Sequence, residues 1–123
     1  MGEERRDFVR LATRLTAFIK YADTGKVVRV LVRDLGGGGA CLITEGVLEQ
    51  GSTFELELKL PDVAQPVTCQ AEVQWSRVVE PPRVKWYGSP IANTGVRFTA
   101  VDAKTRSMIV FYTKMNAPPP GLG

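Results

Sequence analysis

Apolar and polar residues alternate along most of the chain, with the period of two that is typical of strands with one buried face. The segment TFELELKLP shows this most clearly, because Phe54, Leu56, Leu58 and Leu60 share one side and Pro61 ends the run. The same alternation predicts further strands over about 14–21, 26–34, 40–44, 67–78 and 94–101. Glycine, proline and polar residues between these segments indicate turns.

The period changes to that of a helix after residue 101. Asp102 is a good N-cap residue, and the apolar side chains that follow recur at helical spacing; they are Met108, Ile109, Phe111, Tyr112 and Met115. We interpret them as core or as a dimer face. The pattern predicts a mainly β fold, a small antiparallel six-stranded β-barrel whose open end is covered by one C-terminal α-helix.

Two parts of the chain are less regular. Residues 80–93 contain three prolines and a glycine and read as an extended hairpin tip or loop. Trp86 and Tyr87 in this segment are candidates for a partner contact if they are exposed. Residues 117–123, rich in proline and glycine, are expected to form a disordered tail.

The composition excludes most catalytic chemistry. The 123 residues are enough for one domain with a real core, and 44% of them are hydrophobic. The chain contains no histidine, the commonest general base and metal ligand, so we expect no enzyme, no catalytic residues and no bound metal or cofactor. Cys41 and Cys69 lie in separate apolar runs, which favours buried free thiols over a reactive pair.

Charge is concentrated at the N-terminus. The formal net charge is only +3, but Arg5, Arg6, Arg10 and Arg14 fall within the first fourteen residues. Such a cluster indicates either a solvated arm or a site for an anionic ligand. The aromatic residues do not interleave with a basic stripe, so DNA and RNA are not expected partners. No apolar segment is long enough for a signal peptide core or a membrane span, so we expect a cytoplasmic protein without membrane insertion.

Two short motifs stand in order around the first two predicted strands. Arg6 and Arg10 form an R-x-x-x-R pattern, and DLGGGG fits [D/N]-x-S-x-x-G with Asp34 and Gly39, but has Gly36 where serine is expected. Together with AEVQWSRV and TGVRFTAVD, these motifs resemble the PilZ domain family, bacterial receptors for the second messenger cyclic di-GMP. The resemblance covers roughly residues 4–115 and implies a split-barrel type of fold. It divides the chain into a flexible arm over 1–13, a barrel with its helix over 14–116, and the tail.

The resemblance implies a ligand site for cyclic di-GMP. Arg6 and Arg10 would clamp the ligand, since a guanidinium grips phosphate oxygens or guanine O6 and N7 with paired hydrogen bonds. Asp34 would accept from the guanine N1–H and N2–H groups. Gly39 would give the turn and a close approach, and Arg5 could stack on a second guanine.

Two further residues are candidates for the rim of this site, Trp75 and Arg77. The alternation in 67–78, however, places Trp75 on the same side as Cys69, Ala71 and Val73, which predicts a core position for its ring. Both interpretations stay open from the sequence.

Gly36 leaves two functions open. The serine hydroxyl of the family pattern is absent, and one neutral hydrogen bond contributes roughly 0.5–1.5 kcal/mol. The chain is therefore either a cyclic di-GMP receptor whose N-terminal arm changes conformation on binding, or a degenerate PilZ domain that acts as a protein-interaction adaptor in motility or pilus control. As a single domain without an output module, it is expected to signal to a separate protein partner, as a monomer or a homodimer.

Overall fold

The structure is a computed structural model that describes residues 10–79, 85–86 and 89–117. Seven strands and one helix lie within these ranges; they are β1 (Leu11–Lys20), β2 (Val27–Leu35), β3 (Gly39–Glu45), β4 (Thr53–Leu58), β5 (Val67–Val78), β6 (Lys85–Trp86), β7 (Ser89–Ala100) and α1 (Ala103–Asn116). All strand pairs are antiparallel, in the order β3-β2-β1-β4-β5-β7-β6. β3 also pairs with β7, which closes a barrel of six of the described strands. This confirms the predicted fold class.

The barrel interior holds the core, and the predicted alternation sets which residues enter it. Phe54, Leu56, Leu58 and Leu60 are all buried, as are Val30 and Val32 on β2. Ile109 of α1 joins the same apolar cluster, which places the helix against the barrel. Burial of these large apolar side chains is the main driving force for closing the sheet.

Three hydroxyl side chains satisfy one another between β3, β7 and β5. The Thr44 and Thr94 hydroxyl oxygens are 3.0 Å apart, and the Thr94 and Ser76 hydroxyl oxygens are 2.7 Å apart. The Leu48 N–H donates to the Ser76 hydroxyl oxygen at 3.0 Å. Buried polar groups need such partners, so this chain of hydroxyls is compatible with a closed core.

Two strands begin earlier than predicted. β1 starts at Leu11 and not near residue 14, because Leu11 pairs with Leu35 and is buried. A β-bulge between Ala12 and Leu15 interrupts the alternation there, which hid this part of the strand. β7 starts at Ser89 and not at residue 94. Its first two residues, Ser89 and Pro90, pair with the two-residue β6, and residues 91–97 pair with β3, so the segment read as a hairpin tip or loop is partly a hairpin.

The helix begins at its predicted cap. The Asp102 carboxylate accepts a hydrogen bond from the Thr105 N–H at 2.7 Å. Ile109 and Thr113 are the buried residues of α1, while Phe111 and Met115 are 66% and 67% exposed, so the last two do not belong to the core. The core expectation is met by Ile109, which is buried, and by Met108 and Tyr112, which are partly buried and pack against the core.

Both cysteines are free and buried, as predicted. Burial is the main cause that raises the pKa of Cys69, to about 12, with Glu55 adding to it and Arg106 opposing it. A thiol with this pKa stays protonated at neutral pH and is a poor nucleophile. Among the described residues, no helix combines the length and apolar character needed to span a membrane.

Candidate functional site

Strand pairing sets four residues of different strands in one row on the outside of the barrel. Asp34 of β2 pairs with Cys41 of β3, Cys41 pairs with Gly95 of β7, and Gly95 pairs with Trp75 of β5. Their neighbours along the strands, such as Leu42 and Val96, point into the core. Three strand spacings of about 4.8 Å give this row a length of about 14 Å.

Arg10 and Asp34 form an ion pair at one end of the row. The Arg10 Nη2 and Nε atoms both donate to Asp34 Oδ1, at 2.6 Å and 3.1 Å. Their side chains are 25% and 33% exposed, so both remain accessible from solvent. The structure thus brings together the second arginine of R-x-x-x-R and the aspartate of [D/N]-x-S-x-x-G, which are 24 residues apart in sequence.

The four-glycine run forms a tight connection between β2 and β3. The Gly36 N–H donates to the Gly39 carbonyl at 2.9 Å, and the Phe98 N–H of β7 donates to the Gly38 carbonyl at 2.9 Å. A Cβ at Gly39 would overlap the Val96 carbonyl oxygen, so glycine is required for β3 to approach β7. Gly36 is buried and supplies only backbone groups.

Trp75 lies at the other end of the row, and the prediction that it belongs to the core is wrong. A β-bulge sets Val73 opposite Val96 and Trp75 opposite the adjacent Gly95, so Gln74 is the extra residue and the alternation shifts. The Trp75 side chain is 41% exposed. A Cβ at Gly95 would overlap the indole ring, so the ring covers the outer side of Gly95.

Arg77 lies beside Trp75 and extends the outer face of the barrel, by which we mean the surface that this row forms. Its guanidinium carbon is 5.5 Å from the centroid of the Trp75 ring, a cation–π geometry. The two candidates for the rim are therefore in contact with each other, and both are solvent-exposed. That they take part in binding stays a prediction.

Two residues of the row, Cys41 and Gly95, were not identified from the sequence. Alternation shows which side of a strand a residue occupies but not which strand lies beside it, so only the pairing places them here. Burial is the main cause that raises the pKa of the Cys41 thiol; the Asp34 carboxylate adds to this, while Arg33 and Arg10 oppose it. The Cys41 thiol therefore stays protonated at neutral pH and is not a nucleophile. Cys41 is buried and lies beneath this outer surface.

Arg5 and Arg6 lie outside the described residues, so their roles stay predictions. Within the described ranges, no group of three or more histidine, cysteine or carboxylate side chains could hold a metal ion. What the face does contain is a guanidinium on a carboxylate at one end and an exposed indole with a second guanidinium at the other. Such groups bind planar, anionic ligands through charge-assisted hydrogen bonds and stacking.

Comparison with known structures identifies the same fold in several proteins. The inhibitor of motility MotI/DgrA of Bacillus subtilis superposes with a TM-score of 0.72 at 18% identity, over 95% of this chain and 55% of that one. The PilZ domain of YcgR from Escherichia coli, solved with c-di-GMP, gives 0.68 at 18% identity over 93% and 95% of the two chains. The c-di-GMP complex of MrkH from K. pneumonia gives 0.67 at 15% identity over 87% and 50%.

The chain thus spans about half the length of MotI and of MrkH, but nearly all of the YcgR domain. None of the curated proteins is significantly similar to it in sequence. The model of the PilZ domain family, however, matches residues 4–114, which include both motifs, all seven strands and most of α1. The chain therefore belongs to the PilZ domain family.

Proposed function

We propose that this PilZ domain binds cyclic di-GMP on the outer face between Arg10 and Trp75 and signals the bound state to a separate protein. The observation that carries the proposal is the contact between Arg10 and Asp34, one residue from each motif, at 2.6 Å. The related domain of YcgR was solved with the same nucleotide.

Each end of the face offers a different kind of contact. At the first end, the Arg10 guanidinium can donate paired hydrogen bonds to a phosphate or to O6 and N7 of a guanine. The Asp34 carboxylate can accept hydrogen bonds from guanine N–H groups. At the other end, the exposed indole of Trp75 and the Arg77 guanidinium are suited to stacking on a second base. Gly95 has no Cβ, so the Trp75 ring can lie against the sheet there, beside Cys41.

The ion pair has two opposing effects on binding. It holds the Arg10 and Asp34 side chains at the site before the ligand arrives, which lowers the entropy lost on binding. A ligand that accepts hydrogen bonds from Arg10 must also break the existing contact between Arg10 and Asp34. Arg10 directly precedes β1, so a change in its partner moves the point at which the arm joins the barrel. This coupling is the proposed origin of the signal.

A second candidate function rests on Gly36. It is buried in the turn between β2 and β3 and has no hydroxyl to offer a ligand, unlike the serine of the motif. A domain that had lost the nucleotide in this way would act as a protein-interaction adaptor only. The relatives include an inhibitor of motility, but its activity is a property of that protein.

Calorimetric titration with cyclic di-GMP, with linear GMP as the control ligand, distinguishes the two functions. The receptor proposal predicts saturable binding of the cyclic dinucleotide that weakens steadily as the salt concentration rises, because phosphate contacts are screened. Equal or absent heats for both ligands would favour the adaptor. Binding that does not depend on salt would contradict an arginine clamp.

A further inference from the structure

The hydrogen-bonded ladder between β2 and β3 ends before the strands do. Its last pair at this end of the barrel is Leu31 with Ile43, although β2 begins at Val27 and β3 continues to Glu45. The same register would set Arg29 opposite Glu45. Instead, the end of β3 pairs with β7, and Gly46, with φ +79°, turns the chain and donates its N–H to the Pro90 carbonyl. The two strands therefore diverge.

The backbone groups of β2 that face this gap have no strand partner among the described residues. The Tyr21 N–H donates to the Lys26 carbonyl at 2.9 Å, so Lys26 directs its carbonyl towards β1. Residues of an antiparallel strand alternate in the side to which they bond, so Val27 and Arg29 direct their N–H and C=O groups away from β1. No other described strand pairs with β2 at these two residues. They form a short open sheet edge.

A cleft of about 400 Å³ lies along this edge. Its floor is made by Ile19, Val30 and Thr44, which are buried, and its walls include Tyr21 and Leu48. The volume is within the range of about 300–1,000 Å³ that is typical of ligand sites. Val27, at its mouth, is 56% exposed, which is unusual for an aliphatic side chain on a strand.

We propose that the β2 edge, defined as Val27–Arg29, accepts an extended segment of a partner protein as an added strand. An open edge specifies an extended backbone as its occupant, because only such a chain can match alternating donors and acceptors. Apolar side chains of the segment enter the cleft. Acidic side chains lie near Lys26 and Arg29, which form no ion pair among the described residues.

A second copy of this chain suits the edge less well. A two-fold antiparallel pairing centred on the β2 edge would set Arg29 of each copy opposite Val27 of the other, with the two Arg29 side chains diagonally adjacent on one face. Like charges this close disfavour a strand pair. The edge lies five residues before Asp34 on the same strand, about 17 Å away, so the proposal does not depend on nucleotide binding.

Amide hydrogen exchange followed by NMR tests the proposal with a defined probe, the peptide acetyl-Glu-Val-Glu-Val-Glu-amide. In the free protein, the amides of Val27 and Arg29 should exchange faster than those of Val28 and Val30, which bond to β1. Peptide at millimolar concentration should protect Val27 and Arg29. A peptide with N-methyl groups at alternate amides should not, because it lacks the backbone donors.

Val27→Pro is the decisive variant. Proline is tolerated at the first residue of a strand, and the Val27 N–H does not serve the β1 ladder, so the fold should persist. Peptide affinity should fall about tenfold or more through the lost donor and the altered edge. Val27→Thr keeps the N–H and the branched side chain and should bind within about twofold of the wild type.

Two results would overturn the proposal. One is a peptide that leaves the Val27 and Arg29 amides unprotected, or that shifts only resonances of the outer face from Asp34 to Trp75. The other is a sedimentation profile in which the protein alone forms a dimer that Val27→Pro abolishes, since the occupant would then be a second copy. Equal affinity for a peptide with lysine in place of glutamate would disprove the role given to Lys26 and Arg29.

Discussion

Gly36 and Gly39 belong to the same four-glycine run, but the structure constrains the two positions in different ways. Gly39 is set by packing, because a side chain there would enter the Val96 carbonyl of the neighbouring strand. Gly36 forms the hydrogen bond that closes the turn through its backbone alone. Gly39 is thus required by the fold, whereas Gly36 stands where the family pattern has a serine hydroxyl.

Replacing Gly36 by serine should strengthen the binding of cyclic di-GMP. The added hydroxyl restores one hydrogen-bonding group at the site, which is expected to raise affinity by up to about tenfold. Calorimetry measures the change, and Gly36→Ala is the matched control because it adds the Cβ without the hydroxyl. Weaker binding by both variants would mean that the turn itself requires glycine.

Alanine at Gly39 and at Gly95 should have different effects on stability. At Gly39 the new Cβ meets backbone, which cannot move without separating β3 from β7, so unfolding should be easier by about 1–3 kcal/mol. At Gly95 it meets the exposed Trp75 ring, which can rotate away, so the loss should be smaller. Urea unfolding measures both free energies.

The same pair of variants tests the position of Trp75. Gly95→Ala should shift the Trp75 fluorescence and weaken ligand binding in a Trp86→Phe background, whereas Gly39→Ala should leave the Trp75 emission nearly unchanged. An equal loss of stability in both variants would argue against the placement of the indole over Gly95.

At the scale of the elements, regular strands were predictable and their irregular parts were not. Phe54, Leu56 and Leu58 follow the period of two from end to end, and β4 was predicted well. In β5 the same rule placed Trp75 in the core, but the bulge at Gln74 turns it outward. A bulge is set by how two strands pair, and the sequence of one strand does not contain that information.

The N-cap of α1 should make part of the stability depend on pH. The hydrogen bonds from Thr105 are the main cause that lowers the pKa of Asp102 from its ordinary value of 3.8. Because the folded pKa is the lower one, the contribution is complete above the unfolded pKa and is lost as the pH falls through the folded pKa. Asp102→Ala should therefore lower the urea midpoint at neutral pH, where the cap is fully formed.

Asp102→Asn is the control for this titration. Asparagine caps a helix about as well as aspartate but does not ionise. The difference in unfolding free energy between the wild type and Asp102→Asn should change in the acid range below 3.8 and stay constant at higher pH. A difference that is constant across the whole range would mean that the carboxylate charge does not contribute to the cap.

For the whole molecule, closure of the barrel decides which residues can act together. The pairing of β3 with β7 is what places Asp34, Cys41, Gly95 and Trp75 in one row, and it joins residues more than 40 positions apart. The alternation alone predicted strands and a helix but no such neighbours. The resemblance to the PilZ family indicated Arg10 and Asp34, and the fold explains why those two residues meet.

The closed barrel also separates two surfaces. The outer face carries the ion pair and the indole, and the β2 edge lies at the other end of the same strand. A receptor that signals to a separate protein needs two such surfaces, one for the ligand and one for the partner. The proposals for the two surfaces can fail independently, because each has its own variant and its own ligand.

The most direct test of the account compares Arg10→Ala with Arg14→Ala in calorimetric titrations with cyclic di-GMP. Both variants remove one exposed or half-exposed arginine near the start of β1, but only Arg10 contacts Asp34. Binding should weaken by at least about tenfold in Arg10→Ala and change by less than about twofold in Arg14→Ala. Equal affinities in the two variants, or no binding by the wild type, would contradict the proposed receptor site.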